Sequence, residues 1–113
     1  MVAEALEAAK MLEAEGINVA VIDAVTVKPL DSETVLAYAK KCGAIVTAEN
    51  ANVIGGLGSA VCECVCDNAP VPVKRVGVCD LYGEVGDVDY LKKRFGLTAD
   101  VIVEKVKEAI AAK

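Results

Sequence analysis

Four acidic residues stand at, or soon after, the ends of predicted β-strands, where they could do chemistry: Asp23, Glu49, Asp80 and Glu84. Carboxylates in such positions can hold a divalent cation or act as general acid and base. More often they accept hydrogen bonds from loop N–H groups or pair with Lys and Arg across an interface. We favour the structural or interface role for these residues and keep cation or acid–base chemistry as the alternative.

A glycine-rich turn, Gly55-Gly56-Leu57-Gly58-Ser59, joins a predicted strand to a predicted helix and could cradle a phosphate on its backbone N–H groups. It differs from the G-x-G-x-x-G pattern of dinucleotide sites, and it lacks the lysine of a P-loop. Glycines also allow positive φ angles and a close approach of neighbouring backbone. Tight packing is therefore the favoured interpretation, with anion binding as the alternative. Lys28, beside Pro29, is likewise interpreted as a solvated loop lysine rather than an anion ligand.

Five cysteines, an odd number, indicate free thiols in a reducing, cytoplasmic setting. Three of them, Cys62, Cys64 and Cys66, are spaced C-x-C-x-C rather than the C-x-x-C of a zinc site, and no histidine completes a metal site. On a helix, Cys62 and Cys66 share one face. We interpret these two as small buried apolar residues and keep a metal or thiol redox role as the weaker alternative.

The overall composition narrows the remaining classes of function. The sequence has 113 residues and a net charge of −5, with no histidine, no tryptophan and one phenylalanine. A histidine-dependent catalytic triad is thus excluded, and the acidic charge disfavours a nucleic-acid or anionic-membrane partner. No apolar stretch approaches the roughly 18 residues of a membrane span, and we expect one domain, residues 1–113.

Helix and strand periodicities alternate along the chain. The predicted helices begin near residues 2, 32, 59, 88 and 98, and three short runs rich in β-branched residues predict buried strands at 17–22, 44–48 and 73–78. Asp31 and Thr98 are the expected N-caps of two helices. The expected C-terminal stops are Gly16, Gly43 and Gly96.

Strands that are nearly all apolar require helices on both faces of a largely parallel sheet, so we predict a three-layer α/β/α fold. Right-handed crossovers place every loop that follows a strand at one edge of such a sheet. Residues 23–31, 49–58 and 80–87 should therefore lie close together. This edge is the predicted functional face, because ligands and partners of open α/β sheets bind there.

An ordered set of short motifs resembles the C-terminal domain of the transketolase family over essentially the whole chain. Each motif is weak alone, but their order is specific. The motifs are Ala5-Leu6-Glu7-Ala8-Ala9, Gly16-Ile17-Asn18-Val19, Lys28-Pro29-Leu30-Asp31, Val46-Thr47-Ala48-Glu49-Asn50, Gly55-Gly56-Leu57-Gly58-Ser59-Ala60-Val61, Arg75-Val76-Gly77-Val78, Tyr82-Gly83-Glu84 and Gly96-Leu97-Thr98. The alternatives are the same domain of a deoxyxylulose-phosphate synthase or a 2-oxoacid dehydrogenase β subunit, or a free-standing small-anion or phosphometabolite-binding module.

The resemblance implies a parent enzyme that uses thiamine diphosphate and Mg²⁺ to transfer two-carbon ketol units between sugar phosphates. Cofactor and catalytic residues of such enzymes lie in the N-terminal and pyrimidine-binding portions and at a homo-oligomer interface, so this domain is expected to hold none and to support assembly. The interface or regulatory residues expected here are Lys28, Asp31, Glu49, Asn50, Asn52, Gly55, Gly56, Gly58, Ser59, Asp80 and Glu84.

Three features depart from the family pattern. Ala51 stands where the family usually has histidine, and Val85 stands where it usually has a small polar residue. The strand and Gly-Ser turn that precede the first helix in the family are also missing, so the sequence resembles a fragment cut just inside the domain. An unpaired sheet edge recruits partners, and we therefore expect self-association or an exposed apolar patch.

Overall fold

The computed structural model describes residues 1–113 as five helices and two strands. All five predicted helices and two of the three predicted strands are confirmed. In chain order the elements are α1 (Val2–Ala14), α2 (Ser32–Cys42), β1 (Ile45–Asn52), α3 (Leu57–Asn68), β2 (Val73–Val78), α4 (Val88–Phe95) and α5 (Ala99–Ala111). No helix has the length and apolar character needed to cross a membrane.

The two strands form a parallel sheet with helices on both faces, which confirms the predicted α/β class. Ile45 pairs with Val73, and Ala48 pairs with Val76, before the register shifts near the end of β1. Side chains alternate between faces along each strand. Val76 therefore packs with α1 and α5, whereas Ile45 and Val73 pack against the buried residues of α2 and α3.

The predicted strand at 17–22 is wrong. This segment is extended, but neither β1 nor β2 pairs with it, and its neighbours through residue 26 are exposed. A β-branched apolar run becomes a strand only when another strand satisfies its backbone groups, and none does so here. The segment instead leaves a set of large apolar side chains exposed, as expected for an apolar patch: Val19, Val21, Ile22, Val25 and Val27.

Most helix ends follow the sequence signals. Asp31 caps α2 by accepting a hydrogen bond from the Thr34 N–H at 3.1 Å, and Gly43 and Gly96 end α2 and α4 with positive φ angles of 74° and 67°. Thr98 is different, because it stands at the N-cap of α5 but its side chain makes no capping bond.

The start of α5 is capped by a side chain from α1 instead. Glu4 Oε2 accepts a hydrogen bond from the Ala99 N–H at 3.0 Å, and the other oxygen pairs with Lys92 Nζ of α4. One carboxylate thus connects three helices, and it supplies the acceptor that the sequence assigns to Thr98.

Candidate functional site

The loops after β1 and β2 meet at one edge of the sheet, as the parallel topology requires. Asn52 at the end of β1 donates a hydrogen bond from Nδ2 to Asp80 Oδ1 at 3.3 Å, and the Val53 N–H donates to the Val78 carbonyl at 3.0 Å. Residues 23–31 make no hydrogen bond or ion pair to these loops. The predicted convergence is therefore confirmed by contacts for two of the three loops.

Glu49 is the one buried carboxylate at this edge. Its two oxygens accept hydrogen bonds from the Leu57 N–H at 2.8 Å and the Gly58 N–H at 2.9 Å. These are N–H groups of the first turn of α3, which lack partners within the helix and carry its positive dipole end. Glu49 thus fills, from within the chain, the position that a bound anion would take.

Two glycines of the turn allow neighbouring groups to approach its backbone closely. A Cβ on Gly56 would lie 1.9 Å from Glu49 Oε2 and 2.9 Å from the Asn52 carbonyl oxygen. A Cβ on Gly58 would lie 2.7 Å from Arg75 Cδ and 2.9 Å from Thr47 Oγ1. The geometry favours the packing interpretation of the turn over the anion-binding one.

Hydrogen bonds also fix the rest of the turn. Gly55, with a positive φ of 79°, donates its N–H to Ser59 Oγ at 2.9 Å. Ser59 Oγ in turn donates to the Val53 carbonyl at 3.3 Å. Arg75 Nη1 of β2 donates to the same carbonyl at 3.0 Å. Arg75 was not singled out from the sequence as a site residue, although an arginine on a mostly apolar strand beside a glycine turn is a usable signal.

The other predicted site residues make local contacts or none. Glu84 accepts from Arg94 Nε at 2.9 Å and from the Tyr90 hydroxyl at 3.4 Å. Hydrogen bonds from the Thr34 hydroxyl and then its N–H lower the pKa of Asp31. Side-chain hydrogen bonds or ion pairs are absent at three positions: Asp23, Lys28 and Asn50.

The interpretation of Cys62 and Cys66 as buried residues is wrong for Cys66, which is exposed, whereas Cys62 is half-buried. α3 buries Val61 and Val65 instead, one position earlier on the helix. All five cysteines are free, and no three His, Cys, Asp or Glu side chains cluster closely enough to hold a metal ion.

The structure is therefore that of a parallel α/β domain. Side chains of the chain itself occupy the edge of the sheet at which the strands end. A family model described as "Transketolase, C-terminal domain" matches residues 1–102. The chain therefore belongs to the transketolase C-terminal domain family.

Individual relatives agree with this assignment. The chain is 58% identical over 113 residues to "6-deoxy-6-sulfo-D-fructose transketolase subunit SqwH" of Clostridium sp., of which it covers 35%. It is 44% identical over 110 residues to 1-deoxy-D-xylulose-5-phosphate synthase of Trichormus variabilis, of which it covers 17%. The solved structure titled "Split gene transketolase, inactive beta4 tetramer" matches 99% of the chain with a TM-score of 0.95 and 49% identity, and the chain covers 37% of it.

Proposed function

We propose that this chain is the non-catalytic C-terminal domain of a transketolase-like enzyme that moves two-carbon ketol units between sugar phosphates. Its role is to support the pyrimidine-binding domain and the assembly of the subunits. The observation that carries this proposal is the pair of hydrogen bonds that the Leu57 and Gly58 N–H groups donate to Glu49, because these backbone donors, which could hold an anion, are already used within the fold. The chain's share of the Clostridium relative, 35%, leaves room for separate catalytic portions.

The parent enzyme is expected to use thiamine diphosphate and Mg²⁺, but the residues of this chain do not fit either group. The start of α3, where a diphosphate would find backbone donors, already holds the Glu49 carboxylate. No cluster of carboxylates, cysteines or histidines offers ligands to a cation. We therefore assign no cofactor contact and no reaction step to this chain.

The proposed partners are the N-terminal and pyrimidine-binding portions of the same enzyme, within a homo-oligomer. The split-gene transketolase neighbour, titled as a tetramer, supports this proposal. Five free cysteines support a cytoplasmic location, and the net charge of −5 argues against a nucleic-acid partner.

The synthase relative supports a second candidate, the C-terminal domain of a deoxyxylulose-phosphate synthase. The higher identity to the transketolase subunit, 58% against 44%, favours the first candidate.

A free-standing anion-binding module is disfavoured by the Glu49 carboxylate, whose charge would repel an anion at α3. Calorimetry with sugar phosphates tests that module, and tight binding by this chain alone would support it.

Assembly is the direct test of the proposed role. We would mix this chain with the part of the Clostridium subunit that lies outside the match, and measure sedimentation of each alone and of the mixture. The proposal predicts a complex of equal stoichiometry. Two species that sediment independently, each folded by circular dichroism, would contradict it.

A further inference from the structure

An exposed segment, residues 81–86, leaves the carboxyl end of β2 and runs to the start of α4; we call it the arm. No backbone N–H or carbonyl of the arm forms a hydrogen bond within the chain. Tyr82 is 97% exposed and Val85 is fully exposed. Large apolar groups with no intramolecular contact, carried on unpaired backbone, are typical of a segment that is completed by a partner.

Both ends of the arm are nevertheless held in place. Before it, Asp80 accepts a hydrogen bond from Asn52 of the β1 loop. Within it, Glu84 pairs with Arg94 of α4 at 2.9 Å. At its end, Gly86 lies so close to the Tyr90 ring that a Cβ there would be 2.6 Å from Tyr90 Cδ1. Tyr82 and Val85 therefore project from a segment whose two ends are held by contacts with the rest of the chain.

The charge of this region indicates the chemistry of the partner. Residues 80–89 carry no lysine or arginine, and three of their four carboxylates have no ion pair within the chain, because only Glu84 pairs with Arg94: Asp80, Asp87 and Asp89 remain. A surface that receives the arm must therefore combine an apolar pocket with basic groups at its rim. A contact between the arms of two copies fits poorly, because residues 80–89 of both copies carry only acidic charge.

We propose that the arm inserts Tyr82 and Val85 into an apolar pocket, bordered by Lys or Arg, on the portion of the enzyme outside this chain. This inference rests on the proposed function and names the contact through which the domain docks. The arm adjoins Asn52 and Asp80, so docking takes place at the same sheet edge as the predicted interface residues. Tyrosine is among the residues that dominate binding energy in such interfaces.

The test uses this chain and the part of the Clostridium subunit outside the match as its probe. Amide hydrogen exchange of residues 81–86 should be fast in the chain alone, because these amides are unpaired, and slower in the mixture. Tyr82→Ala with Val85→Ser should weaken binding at least tenfold. Because both side chains are exposed, the variant should keep the wild-type circular dichroism. Val2→Ser, which alters an exposed apolar residue on α1, is the matched control and should bind normally.

The outcomes separate the two proposals. If the wild-type chain fails to bind the probe, the proposed function fails, and the arm contact with it. If the wild-type chain binds but the arm variant binds equally well, with exchange at 81–86 unchanged, the arm inference is overturned and the proposed function stands. If the arm variant instead changes the sedimentation of this chain alone, the occupant is a second copy and the inference is also overturned.

Discussion

The carboxylate of Glu49 lies at the start of α3, the position in the fold that is best suited to an anion. Burial makes its two hydrogen bonds important, because without Glu49 two backbone N–H groups of α3 would lose their partner. We expect Glu49→Ala to lower the free energy of unfolding by about 1–3 kcal/mol. Glu63→Ala, which alters an exposed glutamate on α3, should change the free energy of unfolding by less than about 0.5 kcal/mol.

Urea unfolding followed by circular dichroism measures both variants. Equal stability of the two would show that the Glu49 contacts contribute nothing to the fold.

Gly56 offers a second test at the scale of one residue. Gly56→Ala would place a Cβ 1.9 Å from Glu49 Oε2, so the carboxylate must move away from α3. We expect a loss of about 1–3 kcal/mol and, with a bulkier residue, weaker assembly with the rest of the enzyme.

Gly83→Ala is the matched control, since a Cβ there meets nothing within 4 Å. Thermal unfolding should separate the two variants clearly. An unchanged midpoint for Gly56→Ala would argue against the close packing described here.

Side-chain contacts between residues close in sequence could be predicted, and contacts between residues far apart in sequence could not. Asp31 caps α2 by accepting a hydrogen bond from the N–H of Thr34, three positions away, and the residue preferences of helix N-caps predict this role. Glu4 reaches Ala99, which is 95 positions away. Arg75 reaches Val53, and that contact depends on how β2 lies beside the β1 loop. The prediction for Cys66 is wrong because Cys66 lies beside the buried face that Val61 and Val65 define, and helical spacing does not fix how wide that buried face is.

At the scale of elements, Glu4 links α1 to both α4 and α5, and this link predicts a pH dependence. The hydrogen bond from Lys92, assisted by the Ala99 N–H, lowers the pKa of Glu4 below its ordinary value of 4.5. The stabilisation is therefore fully present above the pKa of the unfolded state and is lost as the pH falls through the folded-state pKa.

Glu4→Gln removes this contribution. The variant should be less stable than the wild type at neutral pH, and the two should converge as the medium becomes more acidic than pH 4.5. Glu7→Gln, which alters an exposed neighbour on α1, should run parallel to the wild type. Unfolding free energies measured from pH 3 to 7 check the prediction, and a wild-type advantage that grows on acidification would contradict it.

The five helices were predictable because amphipathic spacing and caps are encoded within each segment. Strands depend on a partner elsewhere in the chain, so the same type of signal gave two correct strands and the incorrect one at 17–22. Its apolar residues satisfy the pattern of a buried strand, but no neighbouring strand supplies the hydrogen bonds.

At the scale of the whole molecule, the exposed apolar side chains between residues 17 and 27 form a patch on the surface, although side chains of this kind are usually buried. We expect this chain alone to bind a hydrophobic dye and to self-associate through the patch. Val21→Ser with Val25→Ser should reduce both effects, whereas Ile110→Ser, at an exposed position on α5, should leave them nearly unchanged. Sedimentation velocity with dye fluorescence checks this, and a clean monomer with no dye signal would contradict it.

The proposed role of the chain is to support catalysis performed elsewhere in the enzyme. The most direct measurement is ketol transfer, with thiamine diphosphate and Mg²⁺, by the part of the Clostridium subunit outside the match together with its native partner polypeptides, with and without this chain. We expect no turnover by this chain alone, and turnover by the other portions only when the chain is added. Full turnover without the chain, or turnover by these 113 residues alone, would contradict the proposed supporting role.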